Sequence, residues 1–138
     1  GLQGSIVPDL PPEEAGEYLA AMETQGLAPI FILAPTTPAA RLRYLAGHGR
    51  GFLYCVARKG VTGLTTAFSG ELDAYLARCR AAAALPLAVG FGVKEKADVD
   101  FLTGRADIAV IGTQTIRLVD AEGVAAVGPF IRSLRAEA

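Results

Sequence analysis

The sequence predicts an α/β fold in which short strands alternate with amphipathic helices. Five apolar runs, rich in Val, Ile, Leu or Phe and bounded by glycine or proline, are typical of parallel strands buried on both faces. The runs are spaced roughly 20–35 residues apart, which suits a strand followed by a returning helix. They cover residues 4–7, 28–33, 51–56, 85–89 and 108–111.

Between these runs, apolar residues recur at helical spacing, so we expect a helix after each strand. A shorter helix is predicted over residues 94–102, and one or two extra turns over 113–119. The residues expected to face inward are Ala15, Tyr18, Leu19 and Met22, then Ala39, Leu42, Leu45 and Ala46, then Leu72, Leu76 and Cys79, and finally Val124, Val127, Ile131 and Leu134.

Composition excludes several classes of protein. Of the 138 residues 51% are apolar, and the net charge of −1 provides no basic surface for nucleic acid or an anionic membrane. No apolar run reaches the roughly 18–20 residues needed to span a bilayer, and no signal peptide is recognised. Two cysteines far apart and a single histidine make a metal site improbable. We expect a cytoplasmic protein.

No linker or charge run divides the chain, so residues 1–138 are interpreted as a single domain. Repeated strand–helix units form either a doubly wound open sheet or a (β/α)8 TIM barrel. The first strand is not followed by the glycine fingerprint of dinucleotide-binding folds. Because a full barrel takes about 250 residues, the alternatives are a small open sheet or a large part of a barrel.

Three glycine motifs follow successive strands: Gly60-Val61-Thr62-Gly63, Gly90-Phe91-Gly92 and Ile111-Gly112-Thr113. Glycine lets the backbone approach an anion, and the free N–H groups of a helix start point at it. Thr113 offers a hydroxyl donor or a helix N-cap. Glycines that only form tight turns are the alternative, but three motifs at successive strand ends favour a phosphate site.

Several stretches of the chain together resemble the alpha chain of tryptophan synthase. They occur in the order and near the spacing of that family. The resemblance covers only the C-terminal half of the family, from its fourth barrel strand onward. The matching stretches are Val7-Pro8-Asp9-Leu10-Pro11, Ala28-Pro29-Ile30-Phe31, Ala34-Pro35-Thr36-Thr37, residues 54–58, and the three glycine motifs, the middle one extended to Val93.

The resemblance implies a partial (β/α)8 barrel of about five parallel strands, with helices on the outer face. The implied reaction cleaves indole-3-glycerol phosphate to indole and glyceraldehyde 3-phosphate, in tryptophan biosynthesis. No cofactor is implied for this chain, since pyridoxal phosphate would belong to a beta chain. Tyr54, Phe91, Ile6 and Thr62 are similar to pocket residues. The implied phosphate ligands are Gly63, Gly90, Gly92, Gly112 and Thr113.

The family's two acid–base carboxylates lie in the half that this chain does not match, and a retro-aldol cleavage needs such a pair. Asp9 is interpreted as a turn residue, and acids such as Asp98 as solvated first-turn helix residues. Whether the chain is itself an enzyme therefore stays open, and we expect it to be inactive alone. The alternative is a non-enzymatic βα module that binds a phosphorylated small molecule or a partner chain.

The strands at residues 4–7 and 108–111 are expected to be the edges of the sheet. Unpaired edge strands and exposed apolar side chains promote association. We therefore predict self-association, or pairing with the missing N-terminal half, in addition to the beta chain that the resemblance implies.

Overall fold

The computed structural model describes residues 1–57, 70–90 and 92–135. Along these residues six short strands alternate with six α-helices. The strands are β1 (Gly4–Ile6), β2 (Ala28–Ile30), β3 (Ile32–Leu33), β4 (Leu53–Val56), β5 (Leu87–Gly90) and β6 (Ile108–Ala109). The helices are α1 (Gly16–Thr24), α2 (Ala39–His48), α3 (Gly70–Ala82), α4 (Lys96–Leu102), α5 (Thr113–Glu122) and α6 (Val127–Leu134).

All strand pairs are parallel, and each of the five predicted runs contains a strand. The run at 28–33 forms two strands because its first half pairs with β1 and its second half with β4. Pro29 has no N–H to donate to a ladder, which limits pairing there. Hydrogen bonds from the Arg50 amide to the Pro29 carbonyl (2.9 Å) and from the Tyr54 amide to the Phe31 carbonyl (3.0 Å) connect this run to the next one.

The strand order distinguishes the two architectures that the sequence left open. In the described part of the chain each strand lies beside its neighbours in sequence, from β1 to β2 and from β3 through β6. A doubly wound sheet reverses its strand order at a switch point, whereas a (β/α)8 barrel winds in one direction. The structure shows this continuous winding, and the chain forms part of a (β/α)8 barrel.

One face of the sheet is covered by helices and carries the core. On this face Leu33, Leu53, Cys55, Leu87 and Val89 are fully buried, and they pack with residues of α2 and α3. The Ser5 hydroxyl of β1 lies 3.1 Å from the Tyr18 hydroxyl of α1, so this helix covers the same face. Cys55 and Cys79 both lie in the core, Cys79 as predicted from its inward position on the helix.

The opposite face, which we call the inner face, is formed by alternate strand residues. Strand register aligns Ile32 with Tyr54, Tyr54 with Ala88 and Ala88 with Ile108 across four neighbouring strands. Ile32 and Tyr54 are half-buried, and Ile108 at the last strand is 40% exposed. The inner face is therefore apolar and partly open, whereas the helix-covered face is closed.

Four predictions about the helices need correction. Ala39, expected to face inward, is exposed at the start of α2. The extra turns expected over 113–119 form a ten-residue helix, α5. Val124 lies in a short 3-10 turn before α6 and is 76% exposed, and Ile131 is also exposed, so the predicted inward stripe buries only Leu134 in α6. Asp98 is buried instead of solvated. No described helix is long and apolar enough to cross a membrane.

Candidate anion site at the carboxyl edge of the sheet

Strands β4, β5 and β6 end side by side. The Ala57 amide donates to the Gly90 carbonyl (2.9 Å), and the Val110 amide donates to the Val89 carbonyl (2.8 Å). Because the strands are parallel, their carboxyl ends lie at the same edge of the sheet. The structure thus brings together the ends of the three strands that precede the predicted glycine motifs. Thr62, Gly63 and Phe91 lie outside the described residues.

Two of the predicted glycines differ in their backbone conformation. Gly92 has a φ of 127°, a backbone conformation that L side chains rarely adopt. Gly112 has an ordinary φ of −99° and forms the N-cap of α5. A Cβ added at Gly112 would meet no described atom within 4 Å, so the position of the missing side chain is open.

The N-terminus of α5 has free backbone donors. The first helical hydrogen bond runs from the Ile116 amide to the Gly112 carbonyl (3.1 Å), so the amides of residues 113–115 are not used by the helix. Among the described residues no side chain caps this end, and its first turn contains no acidic residue. Thr113 is the first helical residue instead of the N-cap, and it is exposed. A helix N-terminus with unused amides and no capping carboxylate favours the binding of an anion.

The N-terminus of α4, at the neighbouring turn, is already occupied. The Asp98 carboxylate accepts hydrogen bonds from the amides of Lys94 (2.9 Å) and Glu95 (3.1 Å). Glu95 and Asp98 form a capping box, in which each side chain accepts from the backbone of the other. A carboxylate that holds these amides leaves them unavailable to a second anion, so α5 is the open helix start of the two.

Tyr54 projects from the inner face of β4 over Gly90. A Cβ added at Gly90 would lie 2.0 Å from the Tyr54 hydroxyl oxygen and 2.5 Å from the ring carbon that carries it. Gly90 therefore provides the space that the phenol ring occupies. Burial of the half-buried ring raises the pKa of the Tyr54 hydroxyl above its usual value. Tyr54 thus presents a neutral, amphipathic ring to the inner face.

Ile6 lies at the end of β1, in register with Ile30 of β2, and is half-buried. The run at 28–33 separates β1 from β4, so Ile6 is about two strand spacings, or roughly 10 Å, from Tyr54. Both belong to the inner face. The sequence alone identified Ile6 and Tyr54 by resemblance, but it did not identify Ile32 and Val56. These two residues also lie on the inner face, since they alternate along their strands with buried residues of the helix-covered face.

No strand position of the described inner face carries a carboxylate. It is formed by Gly4, Ile6, Ala28, Ile30, Ile32, Tyr54, Val56, Ala88, Gly90 and Ile108. Among the acids with partners, Glu13 pairs with Arg41, and Asp107 accepts from Arg80 (2.7 Å) at the opposite end of the sheet. No group of three or more potential metal ligands occurs in the described part of the chain.

A sheet wound in sequential order, with an apolar inner face and an uncapped helix start at its carboxyl edge, defines part of a (β/α)8 barrel with a candidate anion site. Residues 1–128 match the family model described as tryptophan synthase alpha chain. The chain belongs to the tryptophan synthase alpha chain family.

Individual relatives agree with this assignment. The tryptophan synthase alpha chain of Syntrophotalea carbinolica is 64% identical over 135 residues, which cover 98% of this chain and 53% of the relative. That of Desulforapulum autotrophicum is 59% identical over 133 residues, covering 96% of this chain and 53% of the relative. The chain thus spans about half the length of these curated relatives.

Solved structures agree in fold. A tryptophan synthase structure from Mycobacterium tuberculosis matches with a TM-score of 0.85 and 34% identity, over 97% of this chain and 50% of that chain. A structure described as the tryptophan synthase a2b2 complex of Pyrococcus furiosus matches with a TM-score of 0.84 and 28% identity, over 97% of this chain and 56% of that chain. The same sequential strand–helix arrangement is therefore present in proteins about twice as long.

Proposed function

We propose that this chain supplies the phosphate-binding half of a tryptophan synthase alpha chain. The substrate would be indole-3-glycerol phosphate, and the products indole and glyceraldehyde 3-phosphate. In this proposal residues 1–138 act as one domain. Catalysis requires a complete barrel, because the acid and the base come from the half that the chain does not match.

The observation that carries this proposal is the open N-terminus of α5. Three unused amides and the positive end of the helix dipole lie beside Gly112, and among the described residues an added Cβ at Gly112 meets no atom within 4 Å. Gly90 is the last residue of the adjacent strand β5, and Gly92 follows it. We propose that Gly63, Gly90, Gly92, Gly112 and Thr113 surround the phosphate, with the exposed Thr113 donating its hydroxyl.

The apolar inner face supports a place for the indole ring. Tyr54 offers a flat ring beside Gly90, and Ile6 of β1 adds an aliphatic wall on the same inner face. Aromatic rings pack favourably on such a surface. We propose Phe91 as a further wall and Thr62 as a contact to the family's catalytic aspartate, both by resemblance to the family.

Partners follow from the family. We propose that a complete barrel containing this half contacts a tryptophan synthase beta chain, which would hold pyridoxal phosphate, and that this half needs no cofactor of its own. The a2b2 complex described for the Pyrococcus furiosus relative supports a beta chain partner. We also expect a cytoplasmic location, as for a biosynthetic enzyme.

A second function is favoured by the lack of carboxylates on the described inner face. A βα module with an anion site and no acid–base pair binds a phosphorylated small molecule, or a partner chain, without transforming it. Binding of glycerol phosphate is expected under both functions. Cleavage of indole-3-glycerol phosphate after a complementary half is added distinguishes them.

The phosphate site is tested with Thr113→Asp. A carboxylate at the first position of α5 repels a bound dianion, since two like charges 4 Å apart cost about 1 kcal/mol in water and about 4 kcal/mol near a protein surface. We expect the affinity for glycerol phosphate, measured by NMR titration, to fall about tenfold or more. The same carboxylate suits the helix dipole, so the melting temperature should not fall.

Thr24→Asp is the matched control. Thr24 is also exposed, but it lies in the last turn of α1, away from the glycine turns. Thr24→Asp introduces the same charge change as Thr113→Asp and should leave the affinity for glycerol phosphate unchanged. Equal losses in both variants, or none in Thr113→Asp, would show that the anion does not bind at α5.

Inactivity of the isolated half is tested by indole release. The 138-residue chain alone should release no indole from indole-3-glycerol phosphate. Adding a polypeptide that carries the first three strand–helix units of a relative should restore release. Indole produced by this chain alone would contradict the assignment of the acid–base groups to the other half.

A further inference from the structure

A single carboxylate is buried next to the turn that follows β5. Asp98 lies on α4, one turn before Leu102, and both side chains are buried. Residues one turn apart share a helix face, so the packing of Leu102 in the core also carries the carboxylate inward. Within the described part of the chain, Asp98 is the one charged side chain that is buried. A buried carboxylate is costly unless hydrogen bonds hold it, so its partners indicate its role.

The Asp98 carboxylate holds the backbone of the turn between β5 and α4. Its oxygen Oδ2 accepts hydrogen bonds from the Lys94 amide (2.9 Å) and from the Glu95 amide (3.1 Å). The side chains of Lys94 and Glu95 are exposed, so they do not anchor this stretch in the core. The position of two consecutive peptide groups is therefore set by a carboxylate fixed inside the structure.

The stretch that Asp98 fixes begins two residues after Gly92. With its φ of 127°, Gly92 has a conformation that glycine adopts at little steric cost but does not hold by itself. Before it, the Gly90 carbonyl accepts a hydrogen bond from the Ala57 amide (2.9 Å). After it, Val93 is buried in the core, and Asp98 binds the two amides beyond. The turn is therefore held on both sides of its second glycine.

We propose that Asp98 is a positioning residue of the phosphate site, which holds the turn after β5 in the conformation that presents the Gly92 amide to the phosphate. This inference rests on the proposed function, which assigns Gly92 to the phosphate. Asp98 does not contact the ligand, since its carboxylate repels a dianion. A turn that is fixed before the ligand arrives loses less conformational entropy on binding, so the affinity is higher.

The experiment measures the affinity of the 138-residue chain for glycerol phosphate by NMR titration. Asp98→Ala frees the Lys94 and Glu95 amides, and we expect the dissociation constant to rise at least about threefold, since the turn must then be ordered on binding. In the ligand-free protein the Gly92 amide resonance should shift or broaden, and the two freed amides should exchange faster with solvent. Unchanged or tighter binding in Asp98→Ala would overturn the proposal.

Asp98→Asn separates positioning from charge. Both hydrogen bonds of the wild type end on one oxygen, so the side-chain oxygen of asparagine can accept both. The loss of a negative charge does not by itself weaken the binding of an anion. We expect Asp98→Asn to bind glycerol phosphate at least as tightly as the wild type, with the Gly92 resonance unmoved. Equal weakening in the asparagine and alanine variants would contradict positioning through these hydrogen bonds.

Asp107→Ala controls for a general loss of stability. Asp107 also accepts a hydrogen bond from a backbone amide, that of Leu87 (2.7 Å), but it lies at the opposite edge of the sheet. We expect Asp107→Ala to lower the melting temperature, as Asp98→Ala does, and to leave the affinity for glycerol phosphate unchanged. If both variants weaken binding equally, lost stability is the cause and the proposal is wrong.

The titration of the wild type distinguishes this proposal from the function on which it rests. If the wild type does not bind glycerol phosphate, the proposed function is wrong and the role of Asp98 is wrong with it. If the wild type binds and Asp98→Ala binds equally well, only the role of Asp98 is wrong.

Discussion

At the scale of single residues, Gly90 illustrates how one missing side chain shapes the site. Resemblance assigns this glycine to phosphate binding. The structure adds a second reason for it, since the Tyr54 ring occupies the volume that a Cβ would need. Gly92 and Gly112 differ from it, because one has a positive φ and the other faces open space. Glycines with similar sequence contexts therefore have different physical constraints.

Gly90→Ala should displace the Tyr54 ring and destabilise the protein by about 1–3 kcal/mol, the usual cost of overpacking a core. Urea unfolding measures this loss. Gly47→Ala is the control, because Gly47 lies in α2 with no atom within 4 Å of an added Cβ, and it should stabilise by about 0.5–1 kcal/mol. Tyr54→Leu should lower the free energy of unfolding less in the Gly90→Ala protein than in the wild type. If the losses of the two substitutions simply add, the steric explanation is wrong.

At the scale of elements, Asp107 connects α3, β5 and the start of β6 near the amino ends of the strands. Its carboxylate accepts hydrogen bonds from the Leu87 amide at the start of β5 and from Arg80 of α3, both at 2.7 Å. These bonds, the backbone one first, hold the pKa of Asp107 below its usual value. A carboxylate with a lowered folded-state pKa stabilises the fold above the pKa of the unfolded chain.

That stabilisation should be lost as the pH falls below about 4, the range between the unfolded and folded pKa values of an aspartate. Asp107→Asn should lower stability at neutral pH and flatten this part of the pH profile of urea midpoints. Asp120→Asn is the control, since Asp120 is exposed on α5 and makes no ion pair within the described residues. If the urea midpoint of Asp107→Asn falls at low pH as steeply as that of the wild type, Asp107 does not contribute to the pH dependence.

At the scale of the whole molecule, exposed apolar side chains concentrate at the two ends of the sheet. The part of the chain that the structure describes has seven large exposed hydrophobic residues. Six of them lie beside β1 or in the segment from β6 to α6; they are Leu2, Val7, Ile108, Ile116, Val124 and Ile131. In the described residues β1 and β6 each pair on one side only. Both properties promote association, with another copy or with a complementary half.

At micromolar concentration the molar mass of the 138-residue chain from light scattering should therefore exceed the 14.3 kDa of a monomer. Ile108→Lys places a charge on the β6 edge and should shift the population toward monomer, since charged edge strands resist pairing. Ala77→Lys makes the same charge change on the exposed side of α3 and should have no such effect. A clean monomer in the wild type would contradict this prediction.

The sequence by itself determined the elements and the family. The five apolar runs and the helices between them depend on residues close together in the chain, such as the alternation of Leu53 and Cys55 with Tyr54 and Val56. It also identified the glycine turns. It did not predict that β4 begins only at Leu53, after Gly51 adopts a positive φ, or that α5 is ten residues long.

Only the tertiary structure decided which turn is open and what each glycine contacts. Asp98 closes the start of α4, whereas the start of α5 has no carboxylate, and Tyr54 covers Gly90 from a neighbouring strand. Burial of Cys55, Tyr75 and Cys79 in one core was likewise decided by the packing of α3 on β4. The physical reason is that these contacts join residues distant in sequence, whose proximity is set by strand order and register.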